Sequence, residues 1–133
     1  MQMKKFKRLF SLLLSSMLLS SCAPSQDATP EYREISADEA IALMKEEKNY
    51  IILDVRTPEE YAEKRIPGAI NIPNETIGSE EIPELPDKNQ LILVYCRSGR
   101  RSKEAAKKLV ALGYTNIVEF GGILDWTGDI EKG

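Results

Sequence analysis

The residues best suited to chemistry lie in the stretch YCRSGRRS, at positions 95–102. A single cysteine, Cys96, follows a run of strand-forming residues and precedes a loop that contains one glycine and three arginines. The thiolate is the nucleophilic form of cysteine, and neighbouring positive charge favours that form. The stretch therefore predicts a nucleophilic thiol beside a loop that binds anions.

The chain contains no histidine, which excludes several kinds of site. Neither a Cys–His nor a Ser–His nucleophile pair can form. Two cysteines without histidine also argue against a zinc site with the usual ligands. We therefore expect no metal and no cofactor, and chemistry that uses cysteine, carboxylates, arginine, lysine, hydroxyls and backbone groups.

The net charge and the length of the chain limit its possible partners and its number of domains. The formal net charge is −3, and the first 21 residues contribute four of the 18 Lys and Arg residues but none of the 21 Asp and Glu residues. Residues 22–133 are therefore strongly acidic, which predicts that nucleic acid is not a partner. A length of 133 residues, with 42% hydrophobic and 29% charged residues, indicates one ordinary globular domain. We expect it to be a monomer.

The N-terminal segment resembles the export signal of a bacterial lipoprotein. A basic stretch, residues 4–8, precedes an apolar run, residues 9–19, that is short and serine-rich for a membrane span. The sequence Leu-Ser-Ser-Cys that ends at Cys22 is similar to a lipobox. This resemblance implies that residues 1–21 are removed and that Cys22 carries the lipid. The alternative is an uncleaved N-terminal anchor with an incidental cysteine.

The lipobox resemblance also implies a location and a domain layout. The protein would be extracytoplasmic and lipid-anchored to a bacterial membrane. Residues 22–31 contain two prolines, small residues and little apolar content, which predicts a flexible tether. Residues 32–133 would form the folded domain.

Strand and helix patterns alternate along that domain. The runs YIILDV (50–55) and LILVY (91–95) predict strands buried on both faces. Further predicted strands lie in residues 32–36, 66–73 and 116–120, and predicted helices lie in residues 36–47, 57–61, 102–113 and 121–126. Residues 74–89 are polar and proline-rich, which favours a loop with one helical turn. The alternation predicts an α/β fold, with a parallel sheet covered by helices on both faces.

This fold would position Cys96 for binding and catalysis. Ligands of open parallel sheets bind at the carboxyl ends of the strands, and Cys96 lies at such an end. The next helix is predicted to begin near Arg101 or Ser102, so that its free N–H groups favour an anion. Gly99 allows the loop to curl with its amides pointing inward. The predicted anion-binding loop comprises Arg97, Ser98, Gly99, Arg100, Arg101 and Ser102.

These motifs together resemble the rhodanese-domain sulfurtransferases. Cys96, Gly99, Arg101 and Ser102 match that family's Cys-x-x-Gly-x-Arg-Ser loop. The segments ILDVRTPEEY, IPGAINIP and GGILDWTGDIEKG resemble three other family segments in the same order, so the resemblance spans residues 35–133. It implies a rhodanese-like fold and a persulfide on the cysteine. The sulfur would come from a small anionic, thiosulfate-like donor and pass to a thiol or cyanide acceptor.

Charged residues in and near the loop are also candidates for particular roles. Arg97 and Arg101 are the candidates for contact with the anionic donor. Arg56 and Glu60 are expected to form a structural ion pair. Asp54 ends a neighbouring strand, where it could face the pocket without an assignable role.

Two alternatives to a sulfurtransferase remain at this point. Cysteine phosphatases have a Cys-x5-Arg loop that is one residue longer, whereas here the sixth residue after Cys96 is Ser102 and the arginine is the fifth. The loop length therefore disfavours a phosphatase. The second alternative is a non-catalytic sulfur carrier or redox-sensing module at the membrane, whose thiol would be oxidised or persulfidated as a signal. Such a module would need the same loop as an enzyme, so the loop sequence does not distinguish the two.

Overall fold

The structure, a computed structural model, describes residues 31–133. The predicted signal, the lipid site Cys22 and the tether up to residue 30 lie outside the described residues. Within residues 31–133, the helices are too short and too polar to cross a membrane.

A five-stranded parallel sheet forms the centre of the described domain. The elements in chain order are β1 (Arg33–Glu34), α1 (Ala37–Glu46), β2 (Tyr50–Asp54), α2 (Pro58–Glu63), β3 (Lys64–Arg65), β4 (Ile70–Asn71), β5 (Leu91–Cys96), α3 (Arg100–Ala111), β6 (Ile117–Gly122) and β7 (Glu131–Lys132). The strand order in the sheet is β1-β6-β5-β2-β4, and every neighbouring pair is parallel. β3 and β7 form a separate antiparallel pair.

The central strand β5 is buried along its whole length. Successive side chains of a strand point to opposite faces, and here each face has its own core. Ile92 and Val94 pack in the layer that contains Leu109 of α3. Leu93 and Tyr95 pack in the layer that contains Ala40 of α1. The predicted parallel sheet with helices on both faces is thus confirmed.

The first two helices begin at capping boxes. The Ser36 hydroxyl accepts a hydrogen bond from the Glu39 amide, and the Glu39 carboxylate accepts one from the Ser36 amide. Thr57 and Glu60 make the same reciprocal pair at the start of α2, with a proline in the first turn. These contacts satisfy amides that a helix start leaves free.

Helix α3 begins earlier than predicted. Gly99 has a φ of 108° and serves as its N-cap, so the helix starts at Arg100 rather than near Arg101 or Ser102. A left-handed backbone favours glycine, which is why the turn comes at this position. The helix ends before Gly113, whose φ is 97°.

The C-terminal segment differs from its prediction. Residues 121–126, predicted to begin a short helix, contain the end of β6 and a 3₁₀ turn, Ile123–Asp125. The strand β7 was not predicted. It pairs with β3 through Arg65 and Glu131, whose side chains also form an ion pair at 3.2 Å. A strand of two residues has no alternation long enough to identify it in a sequence.

Candidate active site

Cys96 lies at the end of the central strand and is 1% exposed. It is the free cysteine among residues 31–133. Its Sγ accepts a hydrogen bond from the Gly99 amide, with an N–S distance of 3.0 Å. The left-handed turn at Gly99 directs this amide back toward the sulfur. An amide donor at this distance stabilises negative charge on the sulfur.

The loop after Cys96 packs directly against the end of β6. A Cβ atom on Gly122 would lie 2.0 Å from the Arg97 carbonyl oxygen and 2.5 Å from the Ser98 amide nitrogen. The Leu124 amide donates a hydrogen bond to the same Arg97 carbonyl at 3.2 Å. Close backbone contact therefore holds the loop in place.

Among the arginines of the predicted loop, Arg101 binds a carboxylate. Its guanidinium donates two hydrogen bonds to the Glu60 carboxylate at 2.7 Å and 3.0 Å. This contact lowers the pKa of Glu60 to about 2. The pKa of Arg101 is raised mainly by Glu60, and the charge of Cys96 adds to the effect. The guanidinium thus acts on the sulfur electrostatically while it anchors α3 to α2.

The other four polar positions of the loop differ in exposure. Arg97, Ser98 and Arg100 are exposed, whereas Ser102 is fully buried. A cleft of about 210 Å³ opens beside Arg97, and its other lining residues are Arg56, Glu60, Glu63, Lys64, Ile123 and Leu124. Cys96 does not itself line this cleft. The cleft brings Arg97 together with two more cationic side chains and two carboxylates.

The ion pair predicted between Arg56 and Glu60 is wrong. Arg56 instead binds the buried carboxylate of Asp54, with its Nη2 atom 2.7 Å and its Nε atom 3.1 Å from the Oδ2 atom. The Arg56 amide donates to the same side chain at 2.9 Å, because the backbone turns sharply after β2. Tyr95 donates a further hydrogen bond to Asp54 at 2.5 Å. Burial opposes the charge on Arg56, but Asp54 raises its pKa.

Sequence analysis missed one residue of the site, Glu119. It lies on β6, is 2% exposed, and accepts a hydrogen bond from the Ser102 hydroxyl at 2.6 Å. The same hydroxyl is 3.4 Å from the Cys96 Sγ. A carboxylate inside an otherwise apolar strand, NIVEF, is a signal that could have identified it, because a buried acid needs a partner.

Within residues 31–133, no three His, Cys, Asp or Glu side chains come together as a set that could hold a metal ion. The site therefore consists of a thiol, a hydroxyl, a carboxylate, backbone amides and guanidinium groups. Such a set can ionise a thiol, bind an anion and hold a charged sulfur species.

Comparison with known proteins gives consistent results. The family model for the rhodanese-like domain matches residues 36–129. The thiosulfate sulfurtransferase PspE of Escherichia coli strain K12 is 41% identical over 73 residues, which are 55% of this chain and 70% of that protein. A sulfurtransferase of Allochromatium vinosum is 33% identical over 94 residues, which are 70% of this chain and 86% of that protein.

A solved structure extends the similarity to the fold. A rhodanese with anions from E. coli superposes with a TM-score of 0.58 at 38% identity. The match covers 63% of this chain and 99% of that one.

Proposed function

The chain belongs to the rhodanese-like domain family, and we propose that it is a sulfurtransferase that works through a persulfide on Cys96. The donor is a small thiosulfate-like anion, and the acceptor is a thiol, or cyanide in an assay. The observation that carries the proposal is the Gly99 amide, 3.0 Å from a sulfur that ends the central strand. It stabilises both the thiolate and the persulfide that replaces it.

The electrostatics around the loop support an anionic donor. Arg101 acts on the sulfur through its charge, and the exposed Arg97 lines a cleft with Arg56, Lys64, Glu63 and Glu60, of which Glu60 is paired with Arg101. Positive charge of this kind draws an anion to the site and offsets charge that develops during transfer. Arg97 is the arginine of this group that is free to move toward a donor, because Arg56 and Arg101 are bound to carboxylates.

The reaction divides into two half-reactions. The thiolate attacks the outer sulfur of the donor, the sulfur–sulfur bond of the donor breaks, and sulfite leaves with the bonding electrons. The acceptor then attacks the outer sulfur of the persulfide, and the Cys96 thiolate is released. The charge is conserved in each step, and no oxidant or reductant is needed.

Mass spectrometry of the intact protein tests this proposal. Mixed with thiosulfate, the wild-type protein should gain the mass of one sulfur atom and lose it again when cyanide is added. Cys96→Ala should abolish both changes. Arg97→Ala should raise the thiosulfate concentration needed for half-maximal loading by about 10-fold, since it removes roughly 1.4 kcal/mol of attraction. Arg33→Ala, at an exposed position of β1, is the matched control and should load as the wild type does.

The outcomes separate the alternatives. Wild-type protein that takes up one sulfur but does not turn over with an acceptor indicates a sulfur carrier or sensing module. Protein that cleaves aryl phosphates and takes up no sulfur overturns the argument from loop length. Repeated turnover that depends on Cys96 supports the enzyme.

We also propose that the domain acts outside the cytoplasm, tethered to a bacterial membrane by a lipid on Cys22, as a monomer without a nucleic-acid partner. The support is the similarity of residues 1–22 to a lipoprotein signal and the acidic composition of the remainder. A small soluble donor and a thiol acceptor would both reach a tethered domain of this size.

A further inference from the structure

The Ser102 hydroxyl is surrounded by hydrogen-bond acceptors. Its Oγ is 2.6 Å from the Glu119 carboxylate, 2.9 Å from the Gly99 carbonyl and 3.4 Å from the Gly121 carbonyl. None of these groups offers a proton while Glu119 is ionised. The hydroxyl therefore donates to one of them, and the short distance to Glu119 makes the carboxylate its main acceptor.

The hydrogen bond to Glu119 determines whether the Ser102 hydroxyl donates to the Cys96 sulfur or accepts from it. A hydroxyl has one proton to donate and two lone pairs that accept. With its proton directed at Glu119, Ser102 presents a lone pair to Cys96, 3.4 Å away. It can then accept the proton of the thiol, but it cannot donate to a thiolate. The thiol, the hydroxyl and the carboxylate thus form one continuous path for a proton.

We propose that Glu119 is the proton acceptor for the Cys96 thiol, working through Ser102. In this chain without histidine, the path replaces an imidazole base. The inference rests on the proposed function, since it assigns the residue that prepares the thiol for attack on the donor. Glu119 does not touch the donor, and it acts as a positioning residue for the Ser102 hydroxyl and as the end of the proton path.

The proton movement balances within the site. The thiol proton passes from Sγ to the Ser102 Oγ, while the hydroxyl proton passes to the Glu119 carboxylate. Glu119 becomes neutral, Cys96 becomes a thiolate, and Ser102 now donates to the sulfur. The thiolate attacks the donor, and sulfite leaves. After the acceptor removes the outer sulfur, the proton returns along the same path.

The charges that face this path come from several elements. On α3, the Lys103 Nζ atom is 3.8 Å from the second oxygen of Glu119, and Arg101 is influenced by the charge on the sulfur. On the β1 side, the pKa of Tyr32 is raised by burial and by Glu34, with a smaller contribution from Glu119. Lys103 therefore lies beside the carboxylate end of the path, and Arg101 is coupled to the sulfur end.

The buried geometry suits transfer inside the protein. Cys96, Ser102 and Glu119 are 1%, 0% and 2% exposed, respectively. Water has little access to the thiol, so a neighbouring acceptor has a large advantage over solvent. The Gly121 amide, 2.7 Å from the same carboxylate oxygen that accepts from Ser102, holds Glu119 in place.

Single-turnover kinetics against pH test the inference. The full chain is mixed with excess thiosulfate, quenched with acid and weighed, which gives the rate of sulfur uptake. The test variants are Glu119→Gln, Ser102→Ala and the double variant. Glutamine preserves the shape and can accept both hydrogen bonds, but it cannot take the proton. Glu84→Gln, at an exposed position in the segment between β4 and β5, is the matched control.

We expect Glu119→Gln to slow sulfur uptake by about 10²-fold at roughly pH 6, the low end of what a positioned base contributes. The deficit should shrink at least about 10-fold above roughly pH 9, because hydroxide can then take the thiol proton in place of Glu119. Ser102→Ala should show the same profile. The double variant should be no slower than either single variant, because the two residues act in series. The control should follow the wild type at every pH.

Other outcomes overturn the inference. A deficit of equal size at every pH indicates that Glu119 only supports the structure. Faster uptake by Glu119→Gln indicates that the carboxylate merely repels the thiolate. If that variant does not fold, the Ser102→Ala profile alone decides, and a flat profile is the negative result. A wild-type chain that takes up no sulfur overturns the proposed function together with this inference, whereas wild-type uptake with a flat variant profile overturns this inference alone.

Discussion

Gly122 touches the backbone of the cysteine loop, and replacing it with alanine should displace that loop. A Cβ atom at Gly122 would lie 2.0 Å from the Arg97 carbonyl oxygen, 2.4 Å from the Arg97 carbonyl carbon and 2.5 Å from the Ser98 amide nitrogen. All three are backbone atoms, so no side chain can rotate away to make room. Contacts under 3.0 Å are essentially never seen for real Cβ atoms.

The displacement can be estimated from these distances. The Arg97 carbonyl must move by about 1 Å before the contact becomes tolerable, and a misplacement of this size costs about 10²-fold in rate where geometry controls reaction. Arg97 and Ser98 connect Cys96 to Gly99, so the Gly99 amide cannot keep its 3.0 Å contact with the sulfur. Overpacking of this kind also destabilises a fold by about 1–3 kcal/mol.

Two measurements check this prediction. Sulfur uptake from thiosulfate, followed by intact mass, should slow by about 10²-fold in Gly122→Ala. Urea unfolding should show that most of the protein is still folded under the assay conditions. Gly78→Ala is the matched control, because a Cβ atom there would meet nothing within 4 Å and its backbone is not left-handed. It should load sulfur at the wild-type rate.

One result would refute the reasoning. If Gly122→Ala loads sulfur at the wild-type rate and unfolds at the wild-type urea concentration, the loop can move without loss of function. The position of the Gly99 amide would then not control the reactivity of Cys96.

Three further predictions concern stability and location. Arg101 lowers the pKa of Glu60 from 4.5 to about 2, so Glu60→Gln should lower the free energy of unfolding by about 1 kcal/mol at pH 7. In urea unfolding this loss should persist above roughly pH 4.5 and disappear as the pH falls through about 2. A difference between the two proteins that does not change with pH would contradict this prediction. Tyr95→Phe removes a buried hydroxyl bound to Asp54 at 2.5 Å and should cost about 2–3 kcal/mol in urea unfolding, whereas an unchanged midpoint would argue against that contact. Cys22→Ser should leave an unprocessed or released protein in membrane fractionation, and normal processing with membrane retention would exclude the lipid site.

Much of the fold follows from the sequence because its signals are local. The two apolar runs at 50–55 and 91–95 correspond to β2 and β5, since a strand buried on both faces needs apolar residues throughout. The capping boxes at Ser36 and Thr57 join residues three apart, so their partners are visible in the chain. The left-handed turn at Gly99 is also visible in the local sequence, because only glycine takes that backbone conformation easily.

The position of Cys96 at the carboxyl end of a buried strand was also determined by the sequence. Strand, cysteine, glycine loop and helix follow one another along the chain, so their order places the thiol at the binding edge of a parallel sheet. The type of chemistry follows from the same stretch together with the absence of histidine from the chain.

Only the tertiary structure decided which charged groups meet. Glu60 binds Arg101, 41 residues away, and not Arg56, while Arg56 turns back to Asp54. Glu119 reaches Ser102 because β6 lies beside β5 and α3 packs over both strands. Contacts of this kind depend on strand order and on the seating of a helix, which are set by the packing of two apolar layers. Since many pairings of charged residues are compatible with one pattern of apolar residues, the sequence pattern could not select among them.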